Sequence, residues 1–538
     1  MAVVAFVAVG LVALSARSGT ADDPPAVAPP PRFVDDTAMS GVDHSYTGDF
    51  DFFVGGGVAA FDCDDDGRTD LYLAGGSSPA ALYRNRSEVG GPLDFERVAS
   101  ASTDLDAVTG AYPIDIDSDG RLDLVVLRNG PNVVLRGVGD CGFEPATDTF
   151  GIDPGDDWTT AFSATWEGSN VLPTLAFGTY LEADDTTCGE SVLFRPTGPA
   201  TSTYTDPVPL TPGYYTLSML FSDWGRTGQR DLRVANDRHY YTDGSEQLFR
   251  MADENPRPYT QAEGWYPLQL WGMGLASRDV TGDGLPEVFI TSQGDNKLQS
   301  LTDGPLTPTY GDIALRRGVT VQRPYAGGDV LPSTAWHPEF EDVNNDGFVD
   351  LFVTKGNVEG QTDHAMRDPS NLMIGYADGT FVEGAEEAGI VRYERARGAS
   401  LVDLDLDGLL DLVVVNREAG ATLWRNVGDG TTDEVAAMGH WISIALEQPA
   451  PNVDGIGAWV EVRTHAGVVE REITIGGGHG GGKVGSIHNG LGDDTDAEVR
   501  VTWPDGEVGP WISVDADQFV TISRGNPVPV VAAVPGQP

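Results

Sequence analysis

The chain has 538 residues, with 82 Asp plus Glu against 33 Lys plus Arg, and a formal net charge of -49. Such a balance argues against nucleic acid as a partner, because phosphate needs a basic face, and against docking on anionic membrane. Apolar residues make up 40%, which excludes wholesale disorder, and the length suits several domains.

Residues 2 to 14 form an unbroken apolar run, too short for a comfortable membrane span, and small residues follow it. Residues 1–21 read as a secretory signal, with cleavage after Ala16 or Ala21. No Lys or Arg precedes the run, so an uncleaved anchor is the other reading. A Pro-rich leader spans 22–31, and 525–538 reads as a flexible tail. The expected location is secreted, periplasmic or cell surface, with no membrane insertion of the mature chain. Cys63, Cys141 and Cys188 are too few for a disulfide scaffold. Cys141 and Cys188 could pair across neighbouring loops, or all three could be free thiols.

A nine-residue pattern, D-x-[DNT]-x-D-G-x-x-[DE], then dominates the chain. It begins at Asp62, Asp115, Asp279, Asp342 and Asp403, with a weaker copy at Asp223 carrying Gly225 and Thr227 at its third and fifth positions. The interval from 115 to 223 is about two periods, and 163 to 181 holds the missing unit with no Asp in its loop. Short apolar runs follow the acidic turns, such as Leu71-Tyr72-Leu73 and Leu412-Val413-Val414-Val415. A later run of the type Leu-aromatic-Arg-Asn, as in Leu82-Tyr83-Arg84-Asn85 and Leu423-Trp424-Arg425-Asn426, marks each unit again. Repeats of this length with several strands predict an all-β fold, a seven-bladed β-propeller over 32–430. The last unit lacks an outer strand, and Arg32-Phe33-Val34-Asp35 is expected to supply it and hide the open sheet edges.

Oxygen donors at alternate positions of a tight loop suit a hard cation, and a flexible carboxylate-rich loop suits Ca2+. Position 6 is Gly, which permits the turn, and position 7 can offer its carbonyl. The expected ligands are Asp62, Asp64, Asp66, Arg68 and Asp70 in the first turn, and Asp115, Asp117, Asp119, Arg121 and Asp123 in the second. Asp279, Thr281, Asp283, Leu285 and Glu287 form the third set. Asp342, Asn344, Asp346, Phe348 and Asp350, then Asp403, Asp405, Asp407, Leu409 and Asp411, complete the five sites. The Asp223 turn is a possible sixth and weaker site. An EF-hand is excluded because its twelfth position needs Glu, whereas Leu73, Val126, Ile290, Val353 and Val414 stand there, in strands.

These repeats, and Gly57-Val58-Ala59-Ala60-Phe61-Asp62 with the loop after it, resemble FG-GAP (VCBS-type) repeats. The resemblance implies a calcium-bearing propeller. A new β-rich, sandwich-like domain is expected over 438–524. Gly455-Ile456-Gly457-Ala458, His488-Asn489-Gly490-Leu491-Gly492 and Val501-Thr502-Trp503-Pro504-Asp505-Gly506 resemble the ASPIC/UnbV domain. Propeller followed by this domain is similar to the cartilage acidic protein-like family. Within it, His479 in the run Gly476 to Lys483 reads as an exposed loop histidine, since no second His or Cys stands at metal spacing, and His488 as a turn-fixing residue.

No catalytic signature such as G-x-S-x-G or H-E-x-x-H is present. The favoured function is a secreted calcium-binding module engaging an extracellular glycan, matrix or protein ligand. The alternative is a propeller lyase or hydrolase of extracellular polysaccharide, with Asn236, Asp237, Arg238, His239, Trp271, Trp336 and His337 lining a funnel.

Overall fold

The computed structural model describes residues 29–183, 187–237, 243–252, 255–320, 333–358, 368–432 and 434–534. The signal at 1–21, most of the Pro-rich leader, Arg238, His239 and the last four residues lie outside them. Seven antiparallel four-stranded units follow one another along the described chain; six are built from consecutive strands, the seventh takes its outer strand from the N-terminal segment, and the first carries a fifth, parallel strand at Gly482–Lys483. The innermost strands are Val58–Phe61, Val108–Ile114, Trp158–Thr165, Tyr215–Ser222, Gly272–Arg278, Ala335–Glu341 and Arg395–Val402, in blades 1 to 7. Each lies against the next, and the last lies against the first, so the ring closes. A strand at this radius is covered on both faces by neighbouring blades. Its residues are therefore mostly apolar or small and do not alternate, and Trp158–Thr165 and Tyr215–Ser222 are buried along their whole length.

Threonines stitch neighbouring blades together across the inner strands. Thr109 Oγ1 donates to the Thr159 carbonyl at 2.5 Å, Thr160 to Thr216 at 2.6 Å, and Thr291 to Trp336 at 2.5 Å. Each bond satisfies a buried hydroxyl and one spare carbonyl lone pair.

The ring is closed in sequence by Phe33–Asp35, which pairs antiparallel with Thr422–Asn426 as the outer strand of blade 7. Asp36, next to that strand, is buried and accepts from Arg425 Nε at 2.9 Å and from the Leu93 N–H at 3.1 Å. The closing strand is thus tied to blade 1 as well as blade 7.

The C-terminal domain is a two-sheet sandwich. One sheet orders Ile487–Gly492, His440–Glu447, Gln518–Ser523 and Val530–Val531; the other orders Val468–Glu472, Trp459–Arg463, Asp496–Thr502 and Ile512–Asp515. Ile442, Val460, Val499 and Trp503 pack between them. Val530–Val531 corrects the flexible-tail expectation, because its backbone pairs with Val520 and Thr521 and extends the sheet edge.

Two further expectations are corrected. The disulfide joins Cys63 to Cys141, with their Cα atoms 4.6 Å apart, and Cys188 is free. Cys63 is the second residue of the first acidic turn, and Cys141 sits where blade 2 reverses into its outer strand, directly alongside. Cys188 is two blades round the ring from Cys63 and cannot reach Cys141. His479, expected at the surface, has no exposed area. It lies on the propeller axis.

Candidate metal turns and a plugged channel

All five strong acidic turns, and the weaker one at Asp223, share one backbone scaffold. The first carboxylate accepts the N–H of the Gly at position 6: Asp62 from Gly67 at 2.7 Å, Asp115 from Gly120 at 2.9 Å, Asp279 from Gly284 at 2.8 Å, Asp342 from Gly347 at 2.8 Å and Asp403 from Gly408 at 2.9 Å. The fifth carboxylate accepts the N–H of position 7, as Asp66 does from Arg68 at 2.9 Å, Asp119 from Arg121 at 3.0 Å and Asp283 from Leu285 at 2.9 Å. Asp346 does so from Phe348 and Asp407 from Leu409, each at 2.9 Å. Position 4 is left-handed as well as position 6: Asp65 has φ 59°, Ser118 57°, Asn345 58° and Leu406 57°. Two such residues coil the loop tightly enough to aim its carboxylates at one centre.

The ninth residue has a second task. Asp70 accepts from the Cys63 N–H at 2.8 Å and the Asn85 N–H at 2.7 Å, linking the turn to the third strand. Asp123, Asp350 and Asp411 repeat this link to Gly137, Gly375 and Asn426. Glu287 accepts from Val280 and Thr281 within its own turn and reaches the third strand through the Ser300 side chain.

Acidic oxygens converge within 4.8 Å in three turns: Asp62, Asp64 and Asp66; Asp115, Asp117 and Asp123; and Asp403, Asp405 and Asp411. The third position is neutral in the other two turns, where Asn344 donates to Asp346 at 3.1 Å and Thr281 to Glu287 at 3.1 Å. Both still offer an oxygen. The donor set fits a hard cation on its own evidence. Both carboxylate oxygens of Asp405, Oδ2 of Asp407, and Oδ1 of Asp64 and Asp117 are buried with no hydrogen-bond partner. Burial, then Asp411, Asp407 and Asp403, push Asp405 up to about 11. Burial raises Asp123 to about 8 and Asp70 to about 7. Buried, mutually repelling carboxylates with orphaned oxygens are costly unless a cation replaces the lost water.

Two blades have replaced the acidic arrangement with organic partners. In blade 3 the turn holds Glu167, whose carboxylate accepts from Arg195 Nε at 2.8 Å and Nη2 at 2.9 Å and from Thr174 at 2.6 Å. Arg195 belongs to the run that gives Arg84 and Arg136 in blades 1 and 2, where the guanidinium meets Asp64 at 3.0 Å and Asp117 at 2.9 Å. In blade 4, Asp231 is already satisfied by Trp224 Nε1 at 3.0 Å and Tyr259 Oη at 2.8 Å. The Asp223 turn therefore lacks the orphaned oxygens of the strong turns.

The glycine run is a plug. Residues 475–483 leave the sandwich, enter the ring and return. The Ala164 N–H donates to the Ile475 carbonyl at 3.2 Å, Gly477 N–H to Met219 at 2.6 Å, and Gly478 N–H to Leu275 at 2.7 Å. His479 N–H donates to His337 Nδ1 at 3.1 Å, and Ala111 N–H to the Gly480 carbonyl at 3.0 Å. Gly482–Lys483 then pairs parallel with Ala59–Ala60, and Lys483 Nζ reaches the Leu401 carbonyl at 2.7 Å. All seven inner strands are touched. Gly476, Gly477, Gly478 and Gly480 all have positive φ, and a Cβ at Gly481 would meet the Val58 backbone, so larger residues cannot make this passage.

His479 sits at the tip. Its Nε2 accepts the Gly55 N–H at 3.1 Å, which leaves Nδ1 to donate to the Met273 carbonyl at 3.1 Å. Its ring lies 4.9 Å from that of Trp336, whose other neighbour is the Arg397 guanidinium at 4.1 Å. Trp336, His337, Asn236 and Asp237 are all buried, so those funnel candidates form wall and core. His488 stands in a strand, and its Nε2 meets Oδ1 of Asn345, the fourth residue of the Asp342 turn, at 2.6 Å, so the turn it fixes by hydrogen bonding lies across the domain boundary.

Residues 62–126 and 342–414 match the FG-GAP-like repeat, and residues 448–528 match the ASPIC and UnbV domain. No curated protein matches the chain. Among solved structures it is similar to BBS1N in complex with ARL6DN, at 11% identity and a TM-score of 0.41, covering 75% of this chain and 99% of that one. It is also similar to an Agrocybe aegerita lectin that recognises non-reducing terminal N-acetylglucosamine, at 16% identity and 0.39, covering 71% and 94%. The Dos1 propeller matches at 11% identity and 0.35, covering 76% and 96%.

Proposed function

We propose that this chain is an extracellular binding module: a β-propeller held together by Ca2+ in five acidic turns, which presents its rim and outer loops to a glycan, matrix or protein ligand. The observation that carries the calcium reading is Asp405, a buried carboxylate with two unpartnered oxygens among Asp403, Asp407 and Asp411. Side chains at positions 1, 3, 5 and 9 and the carbonyl at position 7 would hold the ion, and the ion would supply the positive charge that lets these groups ionise together. Binding is favoured over turnover because the axial channel, where a propeller could form a catalytic funnel, is filled by the chain's own loop. His337 is 5% exposed and accepts a plug N–H. The apolar run at 2–14 and the disulfide fit export to an oxidising compartment.

Thermal melting tests the calcium half. Calcium at millimolar concentration should raise the melting temperature over that in EDTA, as an ion bound by the folded state must. Superimposed curves would remove it. Calcium-dependent retention on glycan and matrix arrays tests the binding half. Polysaccharide turnover by the purified chain would overturn that half and leave the first intact.

A further inference from the structure

A second site lies beside the plug. A cavity of about 130 Å³ lies between the inner strands of the propeller and the sandwich, lined among others by Ser277, Arg278, Glu339, Ser400, Arg471 and Lys483. Its donors and acceptors do not all find partners. Glu341 is taken by Arg471, in two bonds of 2.6 and 2.8 Å, and by Lys483 at 2.6 Å. Glu339 is taken by Lys483 at 2.6 Å and by the Leu401 N–H at 2.9 Å. Glu472, also in the wall, is turned toward Arg230, Ser222 and the Asp223 N–H. Arg278 is left over. It is 5% exposed, and its Nε and Nη1 have no hydrogen-bond partner. Glu341, Asp342 and Asp279 act on its charge from nearby, but none of them bonds to Nε or Nη1.

Arg278 therefore keeps two buried N–H donors unused, on a planar group that suits a small acceptor. We propose that this chamber is an anion site, in which Arg278 holds one small monovalent anion, a halide or a short carboxylate. The volume is well below the several hundred Å³ of sites for sugars or nucleotides, which excludes those ligands. The chain's net charge of -49 opposes anions in bulk, so selection rests on the unused donors of Arg278 and on the small volume.

The test uses the full chain at constant ionic strength, with chloride or acetate replacing gluconate, an anion too bulky for the chamber. Either small anion should raise the melting temperature saturably by about 2 °C or more. Arg278→Met should lose that response. A wild-type melting temperature indifferent to the exchange, or an equal shift in the variant, would overturn the proposal. Should the variant not fold, wild-type crystals soaked in bromide decide. An anomalous peak against the Arg278 guanidinium supports the site, and its absence there overturns it. Calcium is held in excess throughout, so failure here is separate from failure of the calcium reading.

Discussion

His479 is a neutral imidazole because of where its hydrogens must point. Gly55 presents an N–H to Nε2, so that nitrogen has to be bare, and Nδ1 carries the proton toward Met273. Protonation would set N–H against N–H in a dry site close to Arg397. Burial first, then Arg397 and His337, push its pKa down to about 3, well under the ordinary value of about 6.5. The sign follows. Below about pH 6.5 the unfolded chain takes up a proton that the folded chain refuses, so stability falls as pH falls toward 3, by about 1.4 kcal/mol per unit. Above pH 6.5 the residue contributes no pH dependence. His479→Gln should therefore flatten the fall: the gap in unfolding free energy between wild type and variant should change by about 2 kcal/mol between pH 7 and 5. Parallel denaturation profiles over that range would show that His479 does not titrate on unfolding.

At the level of the repeated element, each blade must hold its first turn against its third strand, and the chain does so in two chemistries. Blade 3 uses the Glu167–Arg195 pair, a partly buried two-bond ion pair that also takes the Thr174 hydroxyl. Blade 7 uses Asp405 and its acidic neighbours. These should separate cleanly in mutant melting. Arg195→Met should cost about 1–2 kcal/mol with calcium and with EDTA alike, as loss of a charge-assisted bond does. Asp405→Asn should be destabilising in calcium and neutral or stabilising in EDTA, where the wild-type carboxyl must take up a proton to sit among Asp403, Asp407 and Asp411. A calcium-independent cost for Asp405→Asn would mean that its carboxylate acts without an ion. The acidic turns were legible in the sequence because a fixed nine-residue beat leaves a mark, and the arginine of the third strand recurs with it. The plug was not, because a glycine run has no periodicity and its partners are far away in sequence. Yet a signal exists in phase with the turns. Five residues before each first turn position stand Gly57, Gly110, Ala161, Ser218, Gly274, His337 and Gly398. Four are glycines against which the plug backbone passes, two more are small, and the seventh is the histidine that receives the His479 N–H. The disulfide was misread for a related reason: which loops adjoin depends on blade order around the ring, and sequence distance does not report it.

In the whole molecule, ring closure is shared between the two ends of the chain. Phe33–Asp35 closes the ring at its rim, and the plug closes it along its axis. The sandwich is in turn fastened to the turn-bearing face: Arg471 and Lys483 to Glu341, Arg230 to the Gly457 carbonyl, and the Arg226 guanidinium over Trp459 at 4.4 Å. Neither domain buries its own polar atoms without the other. The Ile475, Gly478 and Gly480 backbone finds its partners in the propeller, and Glu341 finds its cations in the sandwich. The two should therefore unfold together, as one calorimetric transition in excess calcium, despite separate hydrophobic cores. Gly57→Ala tests the cause. Its new methyl would fall on the Gly480 carbonyl, backbone against backbone, where no side chain can swing aside. Overpacking of this kind costs about 1–3 kcal/mol and should loosen the plug, so the single transition should broaden or split. Gly420→Ala, where an added methyl meets nothing within 4 Å, should leave it sharp. Two resolved transitions in the wild-type chain would show that the plug fills the ring without coupling the domains.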